Sequence, residues 1–297
     1  MIIRLVKCVE RKGNAEAGAF ISIVVYIALA VSKLLVGSIA HSDGVKADGW
    51  NNLSDIIASA AVYIGMKIAK KPRDHNHPYG HSRAENISSL IAAFMMMSIG
   101  IDVMAEGAAA LFRPEKRESA PELLAMLVAV ASAFVMLFVY SFNKRLAKRT
   151  NSQALAAVAK DNLSDALVSI GTVVGIAGAQ FKLLWLDPLV AAIIGGIICK
   201  TAWEVFMETS HTLTDGFDEQ MLTAYKHEIA AIDGVKDVAD IKARMLGNDI
   251  VLEVTIHVDP HLTVVKSHKI ADEVERLMKK RHNIEMTHVH IEPDKIP

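Results

Sequence analysis

Asn51 and Asp55, and again Asp161 and Asp165, set two oxygen-bearing side chains four residues apart within long apolar sequence. Four residues of α-helix advance about 6 Å and return to the same face, so each pair would stack its oxygens one turn apart. The pairs belong to near-repeats, Trp50-Asn51-Asn52-Leu53-Ser54-Asp55 and Lys160-Asp161-Asn162-Leu163-Ser164-Asp165. An ionisable group inside a membrane span is costly unless it faces a partner or an interior cavity, which makes such a position a functional site by default. Two such pairs read as one cation site between two helices. Asn-Leu-Ser-Asp is also capping chemistry, but a cap belongs at a helix end, and membrane-length apolar sequence flanks both copies.

Three carboxylates and one amide oxygen form an all-oxygen ligand set. Such a set suits hard cations, Mg²⁺, Ca²⁺ or Mn²⁺, with Fe²⁺ within reach, whereas Zn²⁺ sites usually recruit His or Cys. Zn²⁺ is disfavoured by ligand type and not excluded by it, because it binds more tightly than Mn²⁺ wherever the geometry is flexible. Close carboxylates repel one another, so without metal at least one should hold a proton and the cluster should titrate as a unit. Metal entry would displace protons, and reprotonation on the far side would release metal. Proton flow would then drive export.

The elements that position these residues are membrane helices. The chain is 52% apolar and 22% charged, and the charges gather between apolar blocks and at the end. Apolar windows of about 20 residues fall at roughly 16–38, 43–68, 86–112, 121–143, 153–180 and 186–208, six spans that return the chain to its starting side. Arg4, Lys7, Arg11 and Lys12 precede the first span; Lys67, Lys70, Lys71, Arg73 and Arg83 follow the second; Lys144, Arg145, Lys148 and Arg149 follow the fourth. The opposite loops carry only Lys46, Lys182 and the mixed Arg113, Lys116, Arg117 cluster with Glu115 and Glu118. By the positive-inside rule both termini are expected in the cytoplasm of a plasma-membrane protein. Basic residues continue to Lys12 before any apolar run, so no cleavable leader is expected.

The two pairs lie at similar depth in spans of opposite direction, as in inverted-repeat transporters with a midplane site. The formal net charge of −1 gives no field for nucleic acid. Cys8 and Cys199 imply no disulfide framework. A passive cation channel would share the acidic cluster without proton coupling. A membrane metalloenzyme would need a water-activating motif, such as His-Glu-x-x-His, that the sequence lacks.

After about residue 210 a soluble pattern begins, giving a division into a transmembrane domain, 1–210, and a cytoplasmic domain, 211–297. A helical stripe over 218–232 is followed by a strand at 235–246, a turn at Gly247-Asn248-Asp249 and a second strand at 250–258. That strand sets Ile250, Leu252, Val254, Ile256 and Val258 against Glu253, Thr255 and His257. A helix near 263–281 and a strand near 286–291 complete an αββαβ order, suited to a small sheet with its helices on one face.

These residues resemble the cation diffusion facilitators over nearly the whole chain. The resemblance runs from Ser42-Asp43 and Ala47-Asp48-Gly49, through His77-Pro78-Tyr79-Gly80-His81-Ser82-Arg83-Ala84-Glu85, to His290-Ile291-Glu292-Pro293. It implies a six-span, proton-coupled metal exporter that works as a homodimer, with a ferredoxin-like cytoplasmic domain. In the family's zinc branch the positions matching Asn51 and Asp161 are His or Asp. The Asn-Asp-Asp-Asp set is similar to the manganese-exporting bacterial branch, with Zn²⁺ or Fe²⁺ export by the same machinery as the alternative. The resemblance also implies a loop metal site at Asp74, His77 and His81, and a cytoplasmic-domain site at His257, His268, His290 and Glu292, where one family His is replaced by Ala239. It further implies an Arg83–Asp215 pair at the dimer interface. Lys33 and Lys160 read as interface or counter-charge positions.

Overall fold

The computed structural model describes residues 2–39, 43–112, 123–181, 183, 185–247 and 249–294. Ser42, Arg113, Glu115, Lys116, Arg117, Glu118, Lys182 and Asn248, named above, lie outside the described residues. Six long helices come first: α1 (Ile2–Ile39), α2 (Asp43–Ala69), α3 (Ala84–Phe112), α4 (Leu123–Thr150), α5 (Gln153–Gln180) and α6 (Leu186–Leu213). They are followed by α7 (Glu219–Ala230), β1 (Asp237–Leu246), β2 (Asp249–Val258), α8 (Val264–His282) and β3 (Met286–Pro293). The chain divides into two compact units, Met1–Thr209 and Ser210–Pro297.

Three helices outrun their apolar stretches. α1 begins at Ile2 because Arg4, Lys7, Glu10, Arg11 and Lys12 are good helix formers that carry the hydrogen-bond ladder beyond the apolar run. α4 continues to Thr150 and ends in Lys148 and Arg149, where positive charge meets the carbonyl end of the helix. α6 likewise runs on to Leu213. Asn151, at φ 53°, reverses the chain after α4. Ser152 Oγ then accepts from the Leu155 N–H and caps α5.

Among the described residues, α1, α3, α4 and α6 are long and apolar enough to cross a membrane by composition alone. The acid-bearing pairs lie in the other two, α2 and α5. Large apolar side chains point outward, including Leu35, Ile57, Phe94, Phe134 and Phe138, a surface made for lipid. The interior is built from small residues. Ala15, Ala19, Ala92, Ala93, Ala147, Ala154 and Ala157 form one buried cluster with Val62, Leu155 and Val158. In lipid, where apolar contact alone gives helices little reason to associate, small residues let backbones approach and gain dispersion contact. α3 and α6 show the limit of this. A Cβ on Gly195 would stand 2.4 Å from the Met104 nitrogen, and one on Gly107 would stand 2.6 Å from the Ala192 nitrogen.

In the second unit β2 is central, antiparallel to β1 and parallel to β3. Leu252, Val254, Ile256 and Val258 turn to one face and bury against Tyr225 and Ile229 of α7 and Val274 and Met278 of α8. Glu253, Thr255 and His257 take the other face, with Val251 buried among them. Asp218 caps α7 by accepting from the Gln220 and Met221 N–H groups, and Thr263 caps α8.

Candidate metal centre

Asn51 and Asp161 each stand eight residues after the first residue of its helix, Asp43 or Gln153. The two repeats therefore enter their helices at equal depth. Asp55, Asp161 and Asp165 are all buried, and each offers a carboxylate oxygen within 4.8 Å of the others. Asp55 Oδ2 accepts from Asn52 Nδ2 at 3.2 Å and from Asn51 Nδ2 at 3.4 Å. Asp55 Oδ1 is buried with no hydrogen-bond donor, an oxygen that a cation or a proton would satisfy. On the other side of the cluster the Tyr26 hydroxyl of α1 lies 2.5 Å from Asp165 Oδ2 and 3.1 Å from Asp161 Oδ2. Asn162 Nδ2 donates to the same hydroxyl at 2.9 Å. Asn162 Oδ1 in turn accepts from Asn143 Nδ2 at 2.9 Å and Ser22 Oγ at 3.2 Å. Three carboxyl side chains thus share a buried space fixed by neutral donors. Such a cluster can coordinate a divalent cation through oxygen alone.

A buried ion pair adjoins this centre. Lys33 of α1 and Asp48 of α2 are 1% and 8% exposed, with Nζ 2.7 Å from Oδ2. Lys33 follows Tyr26 by seven residues and Asp48 precedes Asp55 by seven, so each lies two turns along the same face of its helix.

A second cluster occupies the α2–α3 loop. Asp74 accepts from the backbone N–H groups of His77 at 2.7 Å and Asn76 at 3.0 Å. Its carboxylate lies 3.2 Å from His77 Nδ1 and 3.4 Å from His81 Nε2. The three side chains offer ligand atoms within 4.8 Å of one another. The His77 N–H bond is the main cause that holds the Asp74 carboxyl below its usual range. A lowered acid stabilises the turn above the unfolded value, about pH 4, and that contribution is lost as pH falls through the lowered one. The His77 amide resonance should therefore titrate below about pH 4; a signal constant from pH 6 to pH 2 would show that the carboxylate does not hold the turn.

In the second unit the structure brings together three of the four residues named above. His257 Nε2 is 3.6 Å and His290 Nε2 is 3.4 Å from the Glu292 carboxylate, all on the sheet face away from the helices. His268 does not join them. It lies on α8, 3.6 Å from Asp272 one turn along its own helix.

Residues 19–214 match the cation efflux transmembrane domain, and residues 217–294 match the cytoplasmic domain of cation efflux proteins. The chain belongs to the cation efflux family. This is a family of transporters and not of enzymes, and the cation efflux protein is a multi-pass membrane transporter of divalent metal ions. It is 50% identical over 280 residues to the manganese efflux system protein MneS of Bacillus subtilis (strain 168), covering 94% of this chain and 96% of that one. It is 28% identical to the manganese efflux system protein MneP of the same organism, covering 96% and 98%. The copper form of the MamM CTD is 31% identical, covering 26% of this chain and 88% of that one, with a TM-score of 0.24.

Sequence reasoning about the cation efflux protein overlooked Tyr26, Asn52, Asn143 and Asn162, and it left the partner of Lys33 unnamed. Asn52 and Asn162 carried a signal, since each follows the first oxygen-bearing residue of its repeated pair. Tyr26 carried none, standing as one aromatic ring in an apolar run. Arg83 belongs to the first compact unit and Asp215 to the second, where Asp215 lies 4.0 Å from Arg244.

Proposed function

We propose that this cation efflux protein exports Mn²⁺ from the cytoplasm in exchange for protons. It would do so across the plasma membrane, as a homodimer with six spans and both termini inside. The observation that carries this reading is the convergence of Asp55, Asp161 and Asp165 in a buried, all-oxygen cluster between α2 and α5. Asn51 contributes the fourth oxygen once its amide turns from Asp55. Hard oxygen ligands favour Mn²⁺ over softer ions, and the likeness to MneS and MneP, named for manganese efflux, supports the same cargo. The cycle follows from charge. Mn²⁺ entering from the cytoplasm displaces the protons that keep the carboxylates from repelling one another, and protons entering from outside dismantle the ligand set and release the ion. Opposed spans carrying matched half-sites would let the halves rock about a fixed midplane centre. The Asp74 loop and the His257 sheet face are proposed as accessory metal positions.

The test is metal-driven flux in sealed vesicles, with Mn²⁺ and Zn²⁺ at matched free concentrations and internal pH recorded. Mn²⁺ uptake with opposing proton movement is expected. Zn²⁺ flux without Mn²⁺ flux would overturn the choice of metal, and pH-insensitive, unsaturable flux would favour a channel. Asn51→His would place an imidazole on the site and should raise the Zn²⁺ to Mn²⁺ flux ratio by about tenfold, a change in metal affinity on the scale of altered ligand shells. An unchanged ratio would remove Asn51 from metal selection.

A further inference from the structure

Tyr26 reaches the centre from α1, a helix that supplies none of the four oxygens of the repeated pairs. Its side chain is fully buried and packs with Met136 of α4 and Ala166 of α5, which leaves the ring little freedom. A phenol has one proton and two lone pairs. Asn162 Nδ2 donates to one lone pair at 2.9 Å, and Asp165 Oδ2, at 2.5 Å, takes the proton. The remaining lone pair and Asp161 Oδ2, 3.1 Å away, are then two acceptors side by side. A positive ion between them resolves that contact.

We infer that the Tyr26 hydroxyl is a fifth oxygen of the transported ion's shell and a determinant of metal choice. The inference rests on the Mn²⁺ export reading. Asn51, Asp55, Asp161 and Asp165 offer four donors, enough for a tetrahedral Zn²⁺ shell but short of the octahedral shell of oxygen-bound Mn²⁺. A neutral hydroxyl adds a donor without adding charge. That matters because three carboxylates around a divalent ion already leave one negative charge in a buried interior, where a fourth anion would be costly. The tyrosine is also held in place before the ion arrives, by the chain of Asn162, Asn143 and Ser22 that ties α1, α4 and α5 together. A donor fixed in advance discriminates by geometry, because an ion with a smaller shell cannot draw it in.

Tyr26→Phe keeps the ring and removes one oxygen. In the vesicle assay, Mn²⁺ flux at limiting concentration should fall about tenfold, through KM more than kcat, while Zn²⁺ flux changes by less than about twofold. Equal losses for both metals, or no loss, would overturn the inference and leave Tyr26 as packing between α1 and α5. If the variant does not accumulate in vesicles, Asn162→Ala carries the test, since it leaves the hydroxyl but removes its orienting donor. A drop in the Mn²⁺ to Zn²⁺ ratio supports the inference and an unchanged ratio overturns it. Wild-type vesicles without Mn²⁺ flux would defeat the export reading itself. Normal wild-type flux with an unaltered ratio in the variant would defeat only the role of Tyr26.

Discussion

Asp165→Ala is expected to reduce Mn²⁺ flux by more than about 100-fold, since even groups behind the ligands typically change metal affinity 10- to 100-fold. Asp165 links the other two acids of the cluster. It shares the Tyr26 hydroxyl with Asp161 and lies within ligand distance of Asp55. The alanine removes a candidate ligand and one of the three acids that would bind the exchanged protons. Asp165→Asn separates the effects, keeping the volume and one oxygen while losing the charge, and should still lose most of the flux. Asp55→Ala, which removes the α2 acid of the cluster, should behave like Asp165→Ala. Protein amount per vesicle and Asp102→Asn, an exposed change elsewhere on the first unit, serve as controls. Wild-type rates in either alanine variant would remove the cluster from the transport mechanism.

Lys33→Met should be the most destabilising single change of charge in the first unit, by about 3–5 kcal/mol. It takes the Lys33 ammonium away from the buried Asp48 carboxylate. Asp48→Asn alone strands the ammonium instead, at a similar cost. The double change Lys33→Met with Asp48→Asn removes both charges and should recover most of the loss, because a buried ion pair is worth little against well-packed neutral groups. The cycle is read by denaturant unfolding in detergent, and a coupling of 0.5 kcal/mol or less, the scale of independent sites, would show that the two charges do not sense each other. The pair joins α1 to α2 two turns from the carboxylate cluster, so a destabilised single variant should also disturb flux, and the double variant should restore it.

The convergence of Asp55, Asp161 and Asp165 was legible because helical pitch is fixed. Two oxygen-bearing side chains four apart must share a face, and two such faces in apolar surroundings must find each other or a cation. The alternation of β2 was legible for the same reason, with a period of two in place of 3.6. What escaped were partners far apart in sequence. Tyr26 meets Asp161 across 135 residues and Asn162 across 136, and nothing local in α1 marks its one tyrosine in the apolar stretch as polar in role. His268 stands apart from its three companions within the chain. Its residue type fitted, but it rides on α8 while His257, His290 and Glu292 lie on the sheet face that the helices leave open. The helix ends ran past the apolar windows because hydropathy records where lipid begins and not where hydrogen bonding stops.

The string of side chains behind Tyr26 has a bearing on leakage. Ser22, Asn143 and Asn162 make a continuous hydrogen-bonded path from the carboxylates into α4, the kind of path along which protons hop when its members are acids, water or imidazole. Amide nitrogens do not give up protons near neutral pH, so two of the three links conduct nothing. The path behaves as an insulator that holds geometry while blocking a wire. In the proposed Mn²⁺/H⁺ exchange this path would supply protons with no separate route, and an exchanger with one door for both passengers would have little room for slip.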